Sequence, residues 1–200
     1  MMGPKQSTEL AIIEAAYECI ARFGPSRTSI EDVAHAAGVS RATMYRYFPG
    51  GRDELINAVA TWEYHRFFFR LYEAVRDATT LEEVMERGLM HAHRAIKDHE
   101  VLQLMLRTEP EALESTLLAE SEPTRTQIEA FLVPYLARHE LAKGVTPEAA
   151  ASFLSRMVLS YMSAAGQWDL SDPDEVSRLV RAELLAGIVP PPTTLTVRQI

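Results

Sequence analysis

Cysteine is nearly missing from this chain: Cys19 is the only one in 200 residues. A lone thiol excludes an internal disulfide and fits a reducing compartment, so Cys19 is expected to be a small core residue of the first helix. Long apolar runs are missing too. Nothing approaches the roughly 18 residues that suggest a membrane span. The opening Met1-Met2-Gly3-Pro4-Lys5-Gln6 leads into no apolar signal core. These absences predict a cytoplasmic protein with no membrane partner. No segment alternates like a strand and no internal repeat recurs, which leaves an all-α architecture.

The motifs of catalysis are also lacking. Gly38-Val39-Ser40-Arg41-Ala42 has no second glycine for a nucleophile elbow, and Pro49-Gly50-Gly51 has no following Gly-Lys-Ser/Thr for a phosphate loop. His91 and His93 are two residues apart, so on a helix they point different ways and make a poor metal pair. His35, His65, His99 and His139 are scattered, each expected to be solvated or satisfied. The expectation is a protein that is not an enzyme, with no catalytic residues, no metal and no cofactor.

Charge is present but unevenly placed. The chain carries −8 overall, with 47% hydrophobic and 24% charged residues. Residues 1–52 nevertheless hold six basic and five acidic side chains, a net of +1, so the remaining 148 residues carry −9. Arg27, Arg41, Arg46 and Arg52 lie together in that first quarter. A basic reading head on an acidic body fits this asymmetry, and the acidic body discourages nonspecific binding through the wrong face.

The head has an internal pattern. Ile30, Val33, Ala34 and Ala37 recur at helical spacing and give one apolar face. Thr28 with Glu31 reads as a capping box that starts this helix. Gly38 suits the left-handed conformation that ends it. Val39 plugs the space between helices, and Ser40 caps a second helix over Arg41–Phe48. A helix, a short glycine turn and a second helix form a helix-turn-helix, whose second helix lies in the DNA major groove. A preceding helix from about Ser7 to Phe23, with Ile12 or Ile13, Ala16, Ile20 and Phe23 on one face, completes a three-helix unit sharing one small core.

After Pro49-Gly50-Gly51 a long helix is expected over about Arg52–Arg76. Aromatic residues surround its middle, so it should be enclosed by other helices or make contacts on two sides. Further helices are expected from Thr80/Glu83 to about His99, over Glu100–Arg107, from Pro123 to Glu140 with a kink at Pro134, from Thr146-Pro147 to about Gln167, and from Asp172-Pro173 to about Ala186. Residues 108–123 are ambiguous. Residues 1–6 read as a mobile arm, and 190–200, opening on Pro190-Pro191-Pro192, as a loose tail. The division is thus a helix-turn-helix DNA-binding domain over 1–51 and a larger helical domain over 52–189, about nine helices in all; the resemblance given next implies ligand binding and dimerisation for the second.

Gly38-Val39-Ser40-Arg41-Ala42-Thr43-Met44-Tyr45-Arg46-Tyr47-Phe48-Pro49, followed by Asp53-Glu54-Leu55, resembles the TetR (tetracycline-repressor-like) family of bacterial transcriptional regulators. The specific match covers about residues 8–60. The resemblance implies a ligand-responsive regulator, most simply a repressor, that binds a near-palindromic double-stranded DNA operator as a homodimer. One departure stands out: Pro49-Gly50-Gly51-Arg52-Asp53-Glu54 is one residue longer than the usual turn, with Arg in place of Lys, which assigns the phosphate contact to Arg52. Arg41 is favoured as a base contact and Arg46 suits either a guanine or a phosphate. Ala42 and Thr43 are small enough to approach a thymine methyl. Tyr45 and Tyr47 are expected at phosphates or base edges, with packing against the first helix as the alternative for Tyr45. Thr28 should offer its hydroxyl and the start of its helix to a phosphate. Met44 and Phe48 belong to the core.

For the body, the resemblance implies a pocket among the middle helices for a small apolar or amphipathic molecule. Its candidate lining is Trp62, Phe67, Phe68, Met90, Met105, Phe131, Tyr135, Met157, Tyr161 and Trp168. It also implies dimerisation through the last two long helices, with Phe153, Leu154, Val158, Ala165, Leu179 and Leu184 at the interface. Ligand is expected to release DNA by moving the long helix and misplacing the two heads. The alternatives are a helical protein-interaction module without specific DNA binding and, less favoured, an enzyme.

Overall fold

The computed structural model describes residues 4–108 and 110–190, with side chains described at 7–108 and 122–190. Nine α-helices and no strand occur among the described residues. Helix α1 spans Pro4–Phe23, α2 Ile30–Ala36, α3 Arg41–Tyr47, α4 Gly51–Val75, α5 Leu81–Lys97, α6 Glu100–Thr108, α7 Pro110–Leu136, α8 Pro147–Ser163 and α9 Pro173–Leu179. A 3-10 turn over Pro25–Arg27 joins α1 to α2. A π-turn over Val180–Leu184 extends α9.

Caps set most of these boundaries. Thr146 accepts from Ala149 N at 3.2 Å and opens α8 ahead of Pro147. Asp172 does the same for α9, accepting from Asp174 N at 2.9 Å. Thr80 accepts from Glu83 N at 3.1 Å, while the Glu83 carboxylate reaches back to Thr79 N at 2.7 Å, one residue earlier than a capping box requires.

Several boundaries differ from expectation. Helix α1 begins at Pro4, inside the expected arm; residues 1–3 and 191–200, the ends of the expected arm and tail, lie outside the described residues. Helix α7 continues through Pro123, where a start was expected, and contains Pro134 as well. Ile128, Phe131, Leu132 and Leu136 pack this helix on the body core, so tertiary contact overrides the local cost of proline. Helix α8 stops at Ser163, because Ala164 is extended and Gly166 takes φ +65°.

The described chain forms two compact units. The first comprises residues up to Arg70 together with Ala95–Thr116, and the second comprises Leu71–Arg94 with residues from Leu117 onward. Helix α4 is continuous past residue 51, and its residues through Arg70 belong to the first unit.

The first unit has a core of Ile12, Ala16, Cys19, Ile20, Ile30, Val33, Met44, Phe48, Leu55 and Val59. Cys19 is buried as a small apolar residue, and burial pushes its thiol up from the ordinary value. Phe23 departs from the expected face of α1; it is 44% exposed, with the Arg22 guanidinium 5.1 Å from its ring centre. Phe69 and Tyr72 are likewise exposed, so of the two arrangements expected for α4 full enclosure is excluded.

The second unit is built around Leu81, Met85, Leu89, Leu132, Leu136, Ala151, Leu154, Val176, Leu179 and Leu184. Its helices are also tied by polar contacts. Ser155 on α8 is fully buried and donates to Glu129 of α7 at 3.2 Å. The π-turn's Arg181 is ion-paired with Glu82 of α5.

Candidate nucleic-acid interface

The helix-turn-helix is shaped by its turn. The Val39 amide donates to Ala34 O at 2.9 Å and the Gly38 amide to His35 O at 3.2 Å, the paired bonds of a Schellman ending. Gly38 sits at φ +65°, the conformation such an ending needs and glycine best supplies. Ser40 then accepts from Thr43 N at 3.1 Å and starts α3.

Helix α3 is two-sided. Met44 and Phe48 face the core, 0% and 3% exposed. Arg41, Ala42, Tyr45 and Arg46 are exposed, and their spacing places them on one side of the helix. The Arg41 guanidinium lies 5.6 Å from the Tyr45 ring centre and Nη1 is 2.8 Å from Glu31 Oε1 on α2. The Tyr45 hydroxyl, and then the Glu31 charge, hold the Arg41 guanidinium above its ordinary value. Arg46 rests 5.3 Å over Tyr47, which is half-buried against the head core. Thr43 is half-buried, its hydroxyl 3.0 Å from that of Ser40. Tyr45 is 41% exposed, and no packing role on α1 is needed to explain it.

Two expected contacts look different in three dimensions. Thr28 does not cap α2. It is 4% exposed and its hydroxyl donates to Gly24 O at 2.9 Å, which turns it away from any phosphate. The cap is Ser29, which accepts from Asp32 N at 3.2 Å while Asp32 accepts from Ser29 N at 3.1 Å. Hydrogen bonds from the Ser29 hydroxyl and amide hold the Asp32 carboxyl below its usual range.

Arg52, expected at a phosphate, is occupied within the protein. Its Nε donates to Thr28 O at 2.9 Å and its Nη2 to Pro25 O. Nη1 lies 3.5 Å from Asp53. The extra residue before it is absorbed by Gly51 at φ +70° and by Glu54, which accepts from Gly50 N at 2.6 Å.

The body candidates divide between the units. Met90, Phe131, Tyr135, Met157, Tyr161 and Trp168 are partly buried around the core of the second unit. The Phe131 and Tyr135 rings lie 5.3 Å apart. Tyr161 and Trp168 both donate to Glu183, Trp168 Nε1 at 3.0 Å. The Tyr161 phenol is pushed up to about 12, chiefly by the Glu183 carboxylate and then by burial. Trp62, Phe67, Phe68 and Met105 belong to the first unit. Phe67 and Phe68 meet edge to face at 5.2 Å. Trp62 meets Tyr17 of α1 edge to face at 5.8 Å and lies 4.5 Å beneath the Arg66 guanidinium.

Three expected interface residues are also core residues. Leu154, Leu179 and Leu184 are 0% exposed within a single chain, which leaves them no surface for a partner. Phe153, Val158 and Ala165 are partly buried and keep some exposed surface.

Sequence reading missed Ser29 as the cap of α2, the pairing of Glu31 with Arg41, and a cluster in the first unit. There Glu63 of α4 pairs with Arg66 at 2.7 Å and lies 3.5 Å from His99, whose Nδ1 accepts from Leu102 N at 3.2 Å. Ser29 and Asp32 show the same hydroxyl–carboxylate spacing as Thr28 and Glu31; nothing in the sequence pointed to the Glu63–His99 pair.

A short first helix, a glycine turn and a second helix exposing two arginines define a helix-turn-helix DNA-binding protein with a helical body. Residues 12–59 match the family model described as "Bacterial regulatory proteins, tetR family". A helix-turn-helix transcriptional regulator of Mycobacterium tuberculosis is 28% identical over 189 residues, 92% of this chain and 88% of that protein. The crystal structure of a putative TetR-family regulator from Mesorhizobium loti superposes with TM-score 0.69 at 18% identity, covering 94% of this chain and all of that one. SmeT of Stenotrophomonas maltophilia, solved with triclosan, gives TM-score 0.57 at 21% identity over 92% of both chains. The match to the tetR family lies in the helix-turn-helix head, residues 12–59, while similarity to the Mycobacterium tuberculosis transcriptional regulator extends over nearly the whole chain. Among the described residues no helix is long and apolar enough to cross a membrane.

Proposed function

We propose that this protein is a ligand-released repressor that binds a near-palindromic operator as a homodimer. The observation that carries the DNA half of this reading is the exposed side of α3. Arg41, Ala42, Tyr45 and Arg46 stand on it together, while Met44 and Phe48 anchor its back to the head core. An arginine fork suits guanine O6 and N7 in the major groove, and the small Ala42 lets the helix approach closely. Arg41 is the base reader in this scheme, with Arg46, Tyr45, Thr43 and Tyr47 at phosphates or base edges. Residues 1–51 act as the reading head and 52–189 as the body.

A head this small makes few contacts, so useful affinity needs two of them on half-sites about one helical turn apart, or a multiple of it. The partly exposed residues of α8, Phe153 and Val158 with Ala165 beyond it, are the surface assigned to the second copy. Met90, Phe131, Tyr135, Met157, Tyr161 and Trp168 surround one core and supply adaptable apolar surface for a small apolar or amphipathic ligand. SmeT, which shares the fold, was solved as a complex with the small molecule triclosan. Ligand favours a body conformation that misplaces the two heads.

Selection of duplexes from a randomised pool by the full-length protein tests the reading at about 150 mM salt, where nonspecific binding is suppressed. Recovery of a sequence with two related half-sites is expected. Recovery of no preferred sequence rules the reading out.

A further inference from the structure

The pair formed by Glu31 and Arg41 joins the two helices of the helix-turn-helix at its exposed surface. Glu31 lies in the first turn of α2 and Arg41 is the first residue of α3, with Nη1 2.8 Å from Oε1. Both side chains are exposed, 66% for Arg41 and 55% for Glu31, and a pair so open to water adds little to folding. Its position is what matters. Of the two arginines of α3, Arg41 alone has an ion pair among the described residues, and it belongs to the exposed side assigned to DNA. The Tyr45 ring, 5.6 Å from the guanidinium carbon, gives the same side chain a second hold. Arg41 therefore approaches DNA with a carboxylate already attached.

We infer that Glu31 is a specificity-determining residue, which biases Arg41 against phosphate and towards a base. A phosphate that pairs with Arg41 carries a full negative charge and must come close to the Glu31 carboxylate. Like charges at that range oppose each other. Guanine O6 and N7 are acceptors without net charge, so Glu31 opposes them far less than a phosphate, and Arg41 is exposed. Nonspecific binding consists almost entirely of phosphate contacts and loses most from this arrangement. Operator binding loses little, so the ratio of the two rises. This inference rests on the reading of Arg41 as a base contact.

The experiment uses the full chain as wild type, Glu31→Gln, Arg41→Ala and the double variant. Fluorescence anisotropy is measured on a duplex selected from a random pool and on a shuffled duplex of the same length, across a range of salt. Glu31→Gln is nearly isosteric, and a thermal melt of each variant confirms that the head remains folded. Glu31→Gln should tighten the shuffled duplex by about two- to fivefold, the range expected for one exposed charge interaction. It should steepen the salt dependence there by about 0.9, one further phosphate contact. The selected duplex should change little, and the gain should vanish in the Arg41→Ala background. If Glu31→Gln alters both duplexes alike, or neither, while Arg41→Ala relaxes one base position, the role of Glu31 is overturned and the base contact stands. If Arg41→Ala leaves base preference intact, the base contact is overturned and this inference with it.

Discussion

Arg52, in the first turn of α4, donates from Nε to the main-chain carbonyl of Thr28, 24 residues earlier and 2.9 Å away. A second arm of the same guanidinium reaches Pro25 O. These carbonyls belong to the 3-10 turn before α2 and the residue that ends it. One side chain therefore fixes the start of the long helix against the entry to the helix-turn-helix. A planar fork meets two carbonyls well; a lysine ammonium is a point charge and cannot reproduce the pair.

Arg52→Ala should consequently lower stability by about 1–3 kcal/mol, the cost of losing charge-assisted hydrogen bonds to carbonyls that are part-buried. Arg52→Lys should recover only part of that loss. Denaturant unfolding gives both numbers. The DNA measurement separates this role from the phosphate contact expected from the resemblance. If Arg52 only braces the head, the salt dependence of binding keeps its slope in Arg52→Lys and Arg52→Ala alike. A slope that falls by about one in Arg52→Ala would restore the phosphate contact.

Gly38 offers a cleaner separation of causes. A Cβ placed there meets no atom within 4 Å, so the cost of a side chain is one of dihedral angle and not of space. With φ at +65°, Gly38→Ala should cost about 1–2 kcal/mol. Gly38→Asn, though larger, should cost less, because asparagine tolerates the left-handed region. Equilibrium unfolding of the two variants checks this, and a greater loss for Asn than for Ala would mean that packing governs the site after all.

Acid should weaken the entry to α2. The Asp32 carboxyl is held below its ordinary range by Ser29, so its folded value lies under the unfolded one. Such a group contributes stability that is fully present above the unfolded value of about 3.9 and is lost as pH falls through the folded value. Asp32→Asn removes the charge at every pH. The melting temperature of wild type should exceed that of Asp32→Asn at neutral pH, and the gap should narrow as the pH is taken from about 5 to 3. A gap that stays constant over that range would show that charge plays no part in the cap.

The sequence made the helix-turn-helix legible because local chemistry decides most of it. Ile30, Val33 and Ala34 announce a buried stripe, Gly38 announces a turn, and Ser40 announces a start; all are written within eleven residues. The cap of α2 was harder. Thr28-x-x-Glu31 and Ser29-x-x-Asp32 overlap, and only the bond from the Thr28 hydroxyl to Gly24 O, set by the preceding turn, decides between them. The partners of Arg52 were illegible for a related reason: a charged side chain near a DNA-binding motif looks available until its partners, 24 and 27 residues away, are known. The same limit applies to α9 and the turn that follows it, where Leu179 and Leu184 look like interface residues in one dimension and are interior in three. Periodicity reports that a face is apolar; it does not report whether the protein or a second copy covers it.

That distinction yields a last prediction about α8 and α9. Leu179 and Leu184 are fully buried, so Leu179→Ala and Leu184→Ala should each cost about 2–5 kcal/mol through lost transfer energy and an unfilled cavity. Their effect on assembly should be no more than their effect on folding. Val158 is different, because it is only partly buried against the same core. An arginine there can keep its stem on apolar surface and its charge in water, so the fold should survive. A partner helix packed on α8 would instead have to bury that charge. Val158→Arg should therefore melt near the wild-type temperature, sediment as a monomer and lose operator affinity, while Leu179→Ala melts early but sediments as wild type where it remains folded. Should Val158→Arg stay dimeric with operator affinity intact, the second copy does not pack on this part of α8.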